Sequence, residues 1–396
     1  MSNLHPTPRV AIIGAGPGGL ASAMLLAREG VPVTVFEREP AVGGRTRTIR
    51  APGGYAFDIG PTFFLYPRIL KDIFEACGER LEDHVDLKRL DPQYHLVFEG
   101  GGAIRATSDL PRLEQEIARI APADARNVRR FFDDNRAKLE AFRPVLEQAF
   151  SSPADLVSPA MLAALPKLRP FSSVDSDLRR YFSDPRVRLA FSFQTKYLGI
   201  EGDVGDLAHH TIFLARDYER NIQEITGGIL SEEPSIYVQH AGATDPTLAP
   251  EGHTSLYVLV PVPNLRSGID WAREAPRYRK LALDRLKLLG IADIESRIRF
   301  ERVVTPRGWQ DEFSVFEGAT FNLAHNLTQM LYFRPHNRFG RNVYLVGGGT
   351  HPGSGLPVIF EGARITTRLL LEDRARRPAG RNEPKPAAET VGEAAL

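Results

Sequence analysis

The sequence predicts an α/β fold, in which a parallel βαβ unit is interleaved with a larger α+β portion, on three observations. The run Arg9 to Ile13 is β-branched and leads straight into a glycine turn, Gly14-Ala-Gly-Pro-Gly-Gly19. A helical stretch, Leu20 to Glu29, carries the chain to a second apolar run, Val31 to Phe36. Far along the chain, Asn342-Val-Tyr-Leu-Val346 reads as a late strand that enters another glycine turn, with a helix expected from Pro357 to Leu371. Strand, turn, helix, strand is the order of a parallel unit, and nearly continuous apolar runs suit strands covered on both faces.

Between these ends the pattern changes. Asp124 is placed to cap a helix running through Arg129, Phe132, Leu139 and Phe142, which Pro144 should kink or end. Residues 156–171, LVSPAMLAALPKLRPF, are apolar and broken by prolines. Two readings fit them: a loop-helix packed on the core, and a surface that dips into a membrane or mouths an apolar tunnel. Glu201-Gly-Asp-Val-Gly-Asp206 reads as an acidic glycine linker, and Ser235 to Val238 and Ser255 to Pro261 as strands. The tail from Asp373, rich in Arg, Pro, Ala and Glu, is expected to be disordered. These shifts divide the chain into 1–65, a mainly helical 66–200, an α+β 207–310, 311–372 and the tail 373–396.

Composition narrows the function classes. With 50 basic and 49 acidic side chains, the net charge of +1 sets up no field favouring nucleic acid. Cys77 is the only cysteine, so neither an intrachain disulfide nor a cysteine-built metal site can form; it reads as a small buried hydrophobe. The first nine residues have no apolar signal-type region, and no stretch approaches the roughly 20 apolar residues that span a bilayer. The expectation is a cytoplasmic protein, soluble or resting on a membrane surface.

The glycine turn carries the first chemical signal. Gly14, Gly16 and Gly19 form a G-x-G-x-x-G with a strand before it and a helix after it. The first glycine makes the tight turn, the second lets a pyrophosphate approach the backbone, and the third packs helix on strand. The helix start then offers free N–H groups to the phosphates. Glu37, closing the second strand, stands where a ribose hydroxyl needs an acceptor, and its charge disfavours a 2′-phosphate. Ala41-Val-Gly-Gly-Arg-Thr46 is a second glycine turn whose Arg45 suits a bidentate contact with a pyrophosphate. Phe57-Asp-Ile-Gly-Pro-Thr62 adds a third turn, and Gly347-Gly-Gly-Thr350 a fourth. No histidine has defensible metal spacing; His209, His210 and His336 read as structural, and His351 is the one to test first because of its turn.

The order VAIIGAGPGGLASAMLLAREG, VFEREPAVGGRTRT, FDIGPT and LVGGGTHPGSGLP resembles the carotenoid (phytoene) desaturase family, a branch of the amine-oxidase-like flavoproteins. YFSDPRVRLAFSFQTKYLG, HHTIF, TDPTLAPEG, YVLVPVPNL and FRPHNR extend the resemblance along most of residues 8–373. It implies a Rossmann-like FAD-binding domain interleaved with an α+β substrate domain, and removal of hydrogen from a C30 or C40 polyene such as phytoene. It further implies a lipophilic substrate met at a membrane surface, and a quinone or oxygen as electron acceptor. Motifs and resemblance together give the candidate FAD-binding set Gly14, Gly16, Pro17, Gly18, Gly19, Glu37, Arg38, Gly44, Arg45, Gly60, Pro61, Thr62, Gly348, Gly349, Thr350, Gly355, Leu356 and Pro357. No side chain announces itself as a catalytic base.

One departure stands out. Members of the family carry a long stretch after the TKYLG motif, including a strand that completes the dinucleotide-binding sheet. Here Gly199 is followed by IEGDVGDL and then by HHTIF, and that stretch is missing. The expected consequence is an incomplete sheet whose second strand, leading to Glu37, is an edge. Two other functions remain open: a flavin-dependent polyene isomerase or saturase of the same fold, and an inactive remnant that binds isoprenoid or FAD weakly.

Overall fold

The computed structural model describes residues 9–169, 174–189, 198–202, 204–320, 323 and 327–376. The first eight residues, positions 170 and 171 of the apolar segment, 190–197 of the TKYLG motif and the tail from 377 lie outside the described residues.

The parallel unit forms from β1 (Val10–Ile13), α1 (Pro17–Arg28) and β2 (Val33–Phe36), with Val10 opposite Val33 and Ile13 opposite Phe36. Pro17, which lacks an N–H, starts α1 without loss, and Gly30 at φ +69° turns the chain out of the helix. Leu26, Val31 and Leu370 cover one face of the two strands by packing on Val10, Ile12 and Val33. The other face is bare: Ile13 is 92% and Phe36 57% exposed. Among the described residues this sheet has two strands only.

A small hairpin of β3 (Thr48–Arg50) and β4 (Ala56–Asp58) follows. Seven further strands make one large sheet: β5 (Tyr94–Phe98), β6 (Ala103–Ala106), β7 (Leu198–Glu201), β8 (His210–Leu214), β9 (Ile236–His240), β10 (His253–Leu259) and β11 (Ile298–Glu301). Their order is β11-β7-β10-β9-β8-β5-β6, antiparallel except for β5 beside β8. All of β8 and β9 is buried, because both faces of the sheet are covered. On one side Leu96, Ile212 and Tyr237 pack with Phe57 and with Val128, which opens α2 (Val128–Leu146). Next along the chain, α3 (Pro159–Leu168) packs Met161 and Ala164 on Val145 of α2. On the opposite side of the large sheet, Phe213, Val238 and Leu256 pack on Leu283 and Leu286 of α4 (Trp271–Leu288). Last comes α5 (Leu356–Ala375), whose Phe360 and Ala363 join Ala21 of α1 in a separate core.

Several expectations need correction. Asp124 does not cap α2, whose cap position is Asn127; its buried carboxylate accepts the Ser183 and Asp184 amides at 2.9 and 2.8 Å instead. Tertiary partners outcompete the local one. The expected end at Pro144 needs no correction: it falls in the last turn of α2, and the helix ends two residues later at Leu146. The late strand at 342–346 is not formed. Phe339 N–H donates to Val343 and Leu345 N–H to Asn337, so the segment closes on itself around Asn342, at φ +62°, rather than on β1. Glu201 belongs to β7 rather than to a linker. Cys77 is only half-buried, at the end of the helix Arg68–Ala76.

Candidate functional site

Four glycine turns meet beyond the carboxyl ends of β1 and β2. Gly14 sits at φ +97°, a conformation that glycine takes without strain. A Cβ on Gly19 would fall onto the Gly14 carbonyl oxygen, so this turn can close only around a glycine. α1 begins with Gly16 as its cap residue and no side-chain acceptor for its first amides. The second turn lies on the first: Gly43 N–H donates to the Ala15 carbonyl at 2.8 Å, and a Cβ on Gly44 would stand 3.2 Å from Gly16 Cα. The third turn backs on the second, since a Cβ on Gly60 would meet the Arg45 carbonyl. The fourth arrives from the far end of the chain. A Cβ on Gly18 would lie 3.0 Å from Val346 Cγ2, 3.2 Å from Ile359 Cγ2 and 3.5 Å from the Gly347 nitrogen. The start of α5, with Gly355 at its cap and Leu356 and Pro357 in its first turn, is thereby held beside the start of α1.

The charged members divide. Glu37 accepts the Ala15 amide at 2.7 Å through Oε2 and the Glu39 amide at 2.9 Å through Oε1. The Glu39 amide first, and then that of Ala15, hold its carboxyl below the usual glutamate range. Arg38 is largely exposed, and its guanidinium is engaged by Ser314 Oγ at 3.1 Å and by Glu39 at 3.3 Å rather than by the glycine turn. Arg45 is half-buried and donates to the Thr320 carbonyl at 2.7 Å, and among the described residues it has no carboxylate partner. Burial pushes its pKa down.

Three tyrosines fasten the third turn to the large sheet. Tyr55 OH pairs with His253 Nδ1 at 2.6 Å, Tyr257 OH donates to the Ile59 carbonyl at 3.4 Å, and Tyr237 OH meets Thr62 Oγ1 at 3.0 Å. Tyr237 also reaches His210 Nδ1 at 2.5 Å, under the ring of Phe63. Sequence reasoning missed this network, since a tyrosine in an alternating strand carries no signal of its partner 175 residues away. Pro61 is exposed beside Thr62. In the fourth turn, Thr350 N–H and Oγ1 both donate to Gly347, at 3.1 and 2.9 Å, while a Cβ on Gly349 would meet nothing. His351 is fully buried against Phe150. Its Nε2–H donates to the Gln148 carbonyl at 2.9 Å, and burial pushes its pKa down to about 4. His209 stands just before β8, with Thr244 Oγ1 at 2.8 Å from its Nδ1. His336 bonds the Tyr332 carbonyl at 2.9 Å. Among the described residues no three His, Cys, Asp or Glu side chains gather as a metal site.

These residues fit an FAD pyrophosphate. Side chains are absent where backbone must approach, the helix start is uncapped, and a part-buried guanidinium lacks a counter-ion. Fold and site thus define a dinucleotide-binding α/β protein. The sequence pattern of the flavin containing amine oxidoreductases matches residues 17–229. The chain belongs to that family, within its phytoene-desaturase-like members, and is an FAD-dependent oxidoreductase.

It is 33% identical to a 4,4'-diapophytoene desaturase (4,4'-diapolycopene-forming) of Methylomonas sp, across 92% of this chain and 96% of that one. It is 28% identical to a zeta-carotene-forming phytoene desaturase of Myxococcus xanthus, across 92% and 94%. The same identity, across 93% and 99%, relates it to a 4,4'-diapophytoene desaturase (4,4'-diaponeurosporene-forming) of Staphylococcus aureus (strain Newman). The first alignment runs over 490 positions, more than the 396 residues of this chain, so that relative carries internal sequence with no counterpart here.

Proposed function

We propose that the chain desaturates phytoene or a related C30 or C40 carotenoid precursor with FAD as the immediate oxidant. The observation that carries this reading is the convergence of the four glycine turns on the start of α1, in a chain similar to carotenoid desaturases. Gly14, Gly16, Gly18 and Gly19, with Pro17 opening the helix, would receive the pyrophosphate, and Gly44 and Arg45 would close over it. Glu37 would take a ribose hydroxyl, with Arg38 at the rim. Gly60, Pro61 and Thr62, and from the other end Gly348, Gly349, Thr350 and the α5 start at Gly355, Leu356 and Pro357, would border the ring. When bound, FAD would accept a hydride from an allylic carbon, and the proton lost from the neighbouring carbon as the double bond forms would pass to solvent. The protein's part is to hold the polyene against that site, keep water out, and position Thr62 through Tyr237. A quinone or oxygen is the proposed final electron acceptor.

The polyene is lipophilic, and we place the membrane contact at α3. Val157, Leu162 and Leu165 are 64%, 54% and 40% exposed beside Lys167 and Arg169. No helix of the described residues is long and apolar enough to cross a membrane. Apolar side chains over a basic fringe suit a surface that lies in the lipid interface. Flotation with anionic liposomes should carry the chain upward, and Leu162→Glu with Leu165→Glu should abolish this.

Two measurements test the main reading. The purified chain should hold FAD, and Gly16→Val should lose it; unchanged occupancy in that variant removes the site assignment. Cells making phytoene should yield more desaturated pigment when they express the chain.

A second reading rests on the bare face of β1 and β2. With Ile13 and Phe36 open to water and, among the described residues, no strand beside β2, the pocket would lack a wall, and the chain would hold FAD weakly or not at all. One flavin per chain, retained through gel filtration, excludes it.

A further inference from the structure

Three arginines are buried among the described residues, and their counter-ions differ. Arg285, 5% exposed, pairs with Glu99 at 2.7 Å. Arg188, 9% exposed, pairs with Asp175 at 2.9 Å. Arg334 is the most buried, at 1%, and among the described residues it has no carboxylate partner. Its guanidinium donates only to backbone carbonyls: Nη2 to Gly348 at 2.7 Å, Nε to Thr350 at 3.1 Å and Nη1 to Gln329 at 3.2 Å. Two of these belong to the fourth glycine turn, which abuts Gly18 through Val346 and Gly347. The titratable neighbour His351 is kept neutral by its own burial and offers no negative charge.

A buried cation without a counter-ion is costly even after the surroundings relax. Carbonyl dipoles offset part of this; a nearby anion would offset more. Two-electron, one-proton reduction of a flavin leaves one negative charge on the ring system. We propose that Arg334 is a positioning residue of the cofactor site: it holds the 347–350 turn by its carbonyls, and its unpaired charge favours the reduced, anionic form of the flavin. This rests on the reading that the turn borders FAD.

The full chain loaded with FAD is compared with Arg334→Lys and Arg334→Gln, measuring the flavin reduction potential against a reference dye and FAD affinity by titration. Arg334→Lys keeps the charge and should stay near the unaltered chain. Arg334→Gln should weaken the preference for reduced flavin about tenfold, about 30 mV for a two-electron couple. Equal shifts in both variants, or none in either, overturn the proposal and leave Arg334 as a carbonyl clamp. If Arg334→Gln does not fold, Arg334→Met, which keeps the length of the side chain without its charge, takes its place: a tenfold shift there beside an unchanged Arg334→Lys supports the charge role, and no shift in either overturns it. Failure of the cofactor reading shows separately, as an unaltered chain that takes up no FAD.

Discussion

The Ala15 amide donates to Glu37 Oε2 at 2.7 Å, so the acid that closes β2 also braces the glycine turn that follows β1. The two ends of the parallel unit are tied by an ionised acceptor on a backbone donor, stronger than a neutral pair. Glu37 therefore has two tasks, holding the turn and, in our proposal, facing the ribose.

Glu37→Gln should weaken FAD binding about tenfold, the scale of losing one charge-assisted hydrogen bond. Because the folded carboxyl is held below its ordinary value, its stabilising contribution is full above that value and is lost as pH falls through the folded pKa. FAD titrations of both proteins at neutral and at acidic pH should show the gap closing only at the acidic end.

Gly16 and Gly19 should respond differently to alanine. Gly16 has an ordinary φ of −75° and open space where a Cβ would sit, so Gly16→Ala should change stability by less than about 0.5 kcal/mol while reducing flavin occupancy. Gly19→Ala drives a Cβ into the Gly14 carbonyl and should destabilise the fold by about 3 kcal/mol or more. Urea unfolding midpoints separate the two, and equal loss in both contradicts the assignment.

Leu26 and Ile13 are both apolar residues of the βαβ unit, at 2% and 92% exposure. Leu26→Ala should lose about 2–5 kcal/mol, whereas Ile13→Ala should lose less than about 0.5. A large loss at Ile13 would mean that something covers that face of the sheet in solution.

Two buried histidines, His210 and His351, and the half-buried His209 set the acid limit. Burial pushes His210 down to about 3, and His209 and His351 to about 4. Between those values and the unfolded value of about 6.5, the unfolded chain binds protons that the folded chain refuses, so stability falls as pH drops, by up to about 1.4 kcal/mol per pH unit for each histidine. Urea midpoints should decline steadily from pH 6.5 to pH 4, and His351→Gln should flatten the slope. A pH-independent midpoint contradicts the lowered values of all three.

Much of the site was legible because it is local. Gly14, Gly16, Gly19 and Glu37 lie within one short βαβ unit, where a turn needing positive φ and an acid at a strand end leave a mark in residue identity itself. What could not be read was the choice among competing partners. Asp124 carries the same side chain whether it caps its own helix or the Ser183 and Asp184 amides, and only packing decides. Asn342 to Val346 is apolar enough for a strand, yet its hydrogen bonds run back to Phe339 and Asn337. Nothing in the residue types of Arg334 and Tyr237 marks their partners, which lie 5 to 175 residues away.

By itself, then, the sequence determined the parallel unit, the glycine turns and the dinucleotide chemistry they support, because backbone sterics at those positions admit few residues. Only the tertiary structure decided that the four turns meet, that Thr62 is held by Tyr237, that Arg334 lies buried without a counter-ion among the described residues, and that one face of β1 and β2 is left open. Those are long-range facts: which groups share a dry, low-dielectric space depends on how distant elements pack, and no single segment encodes it.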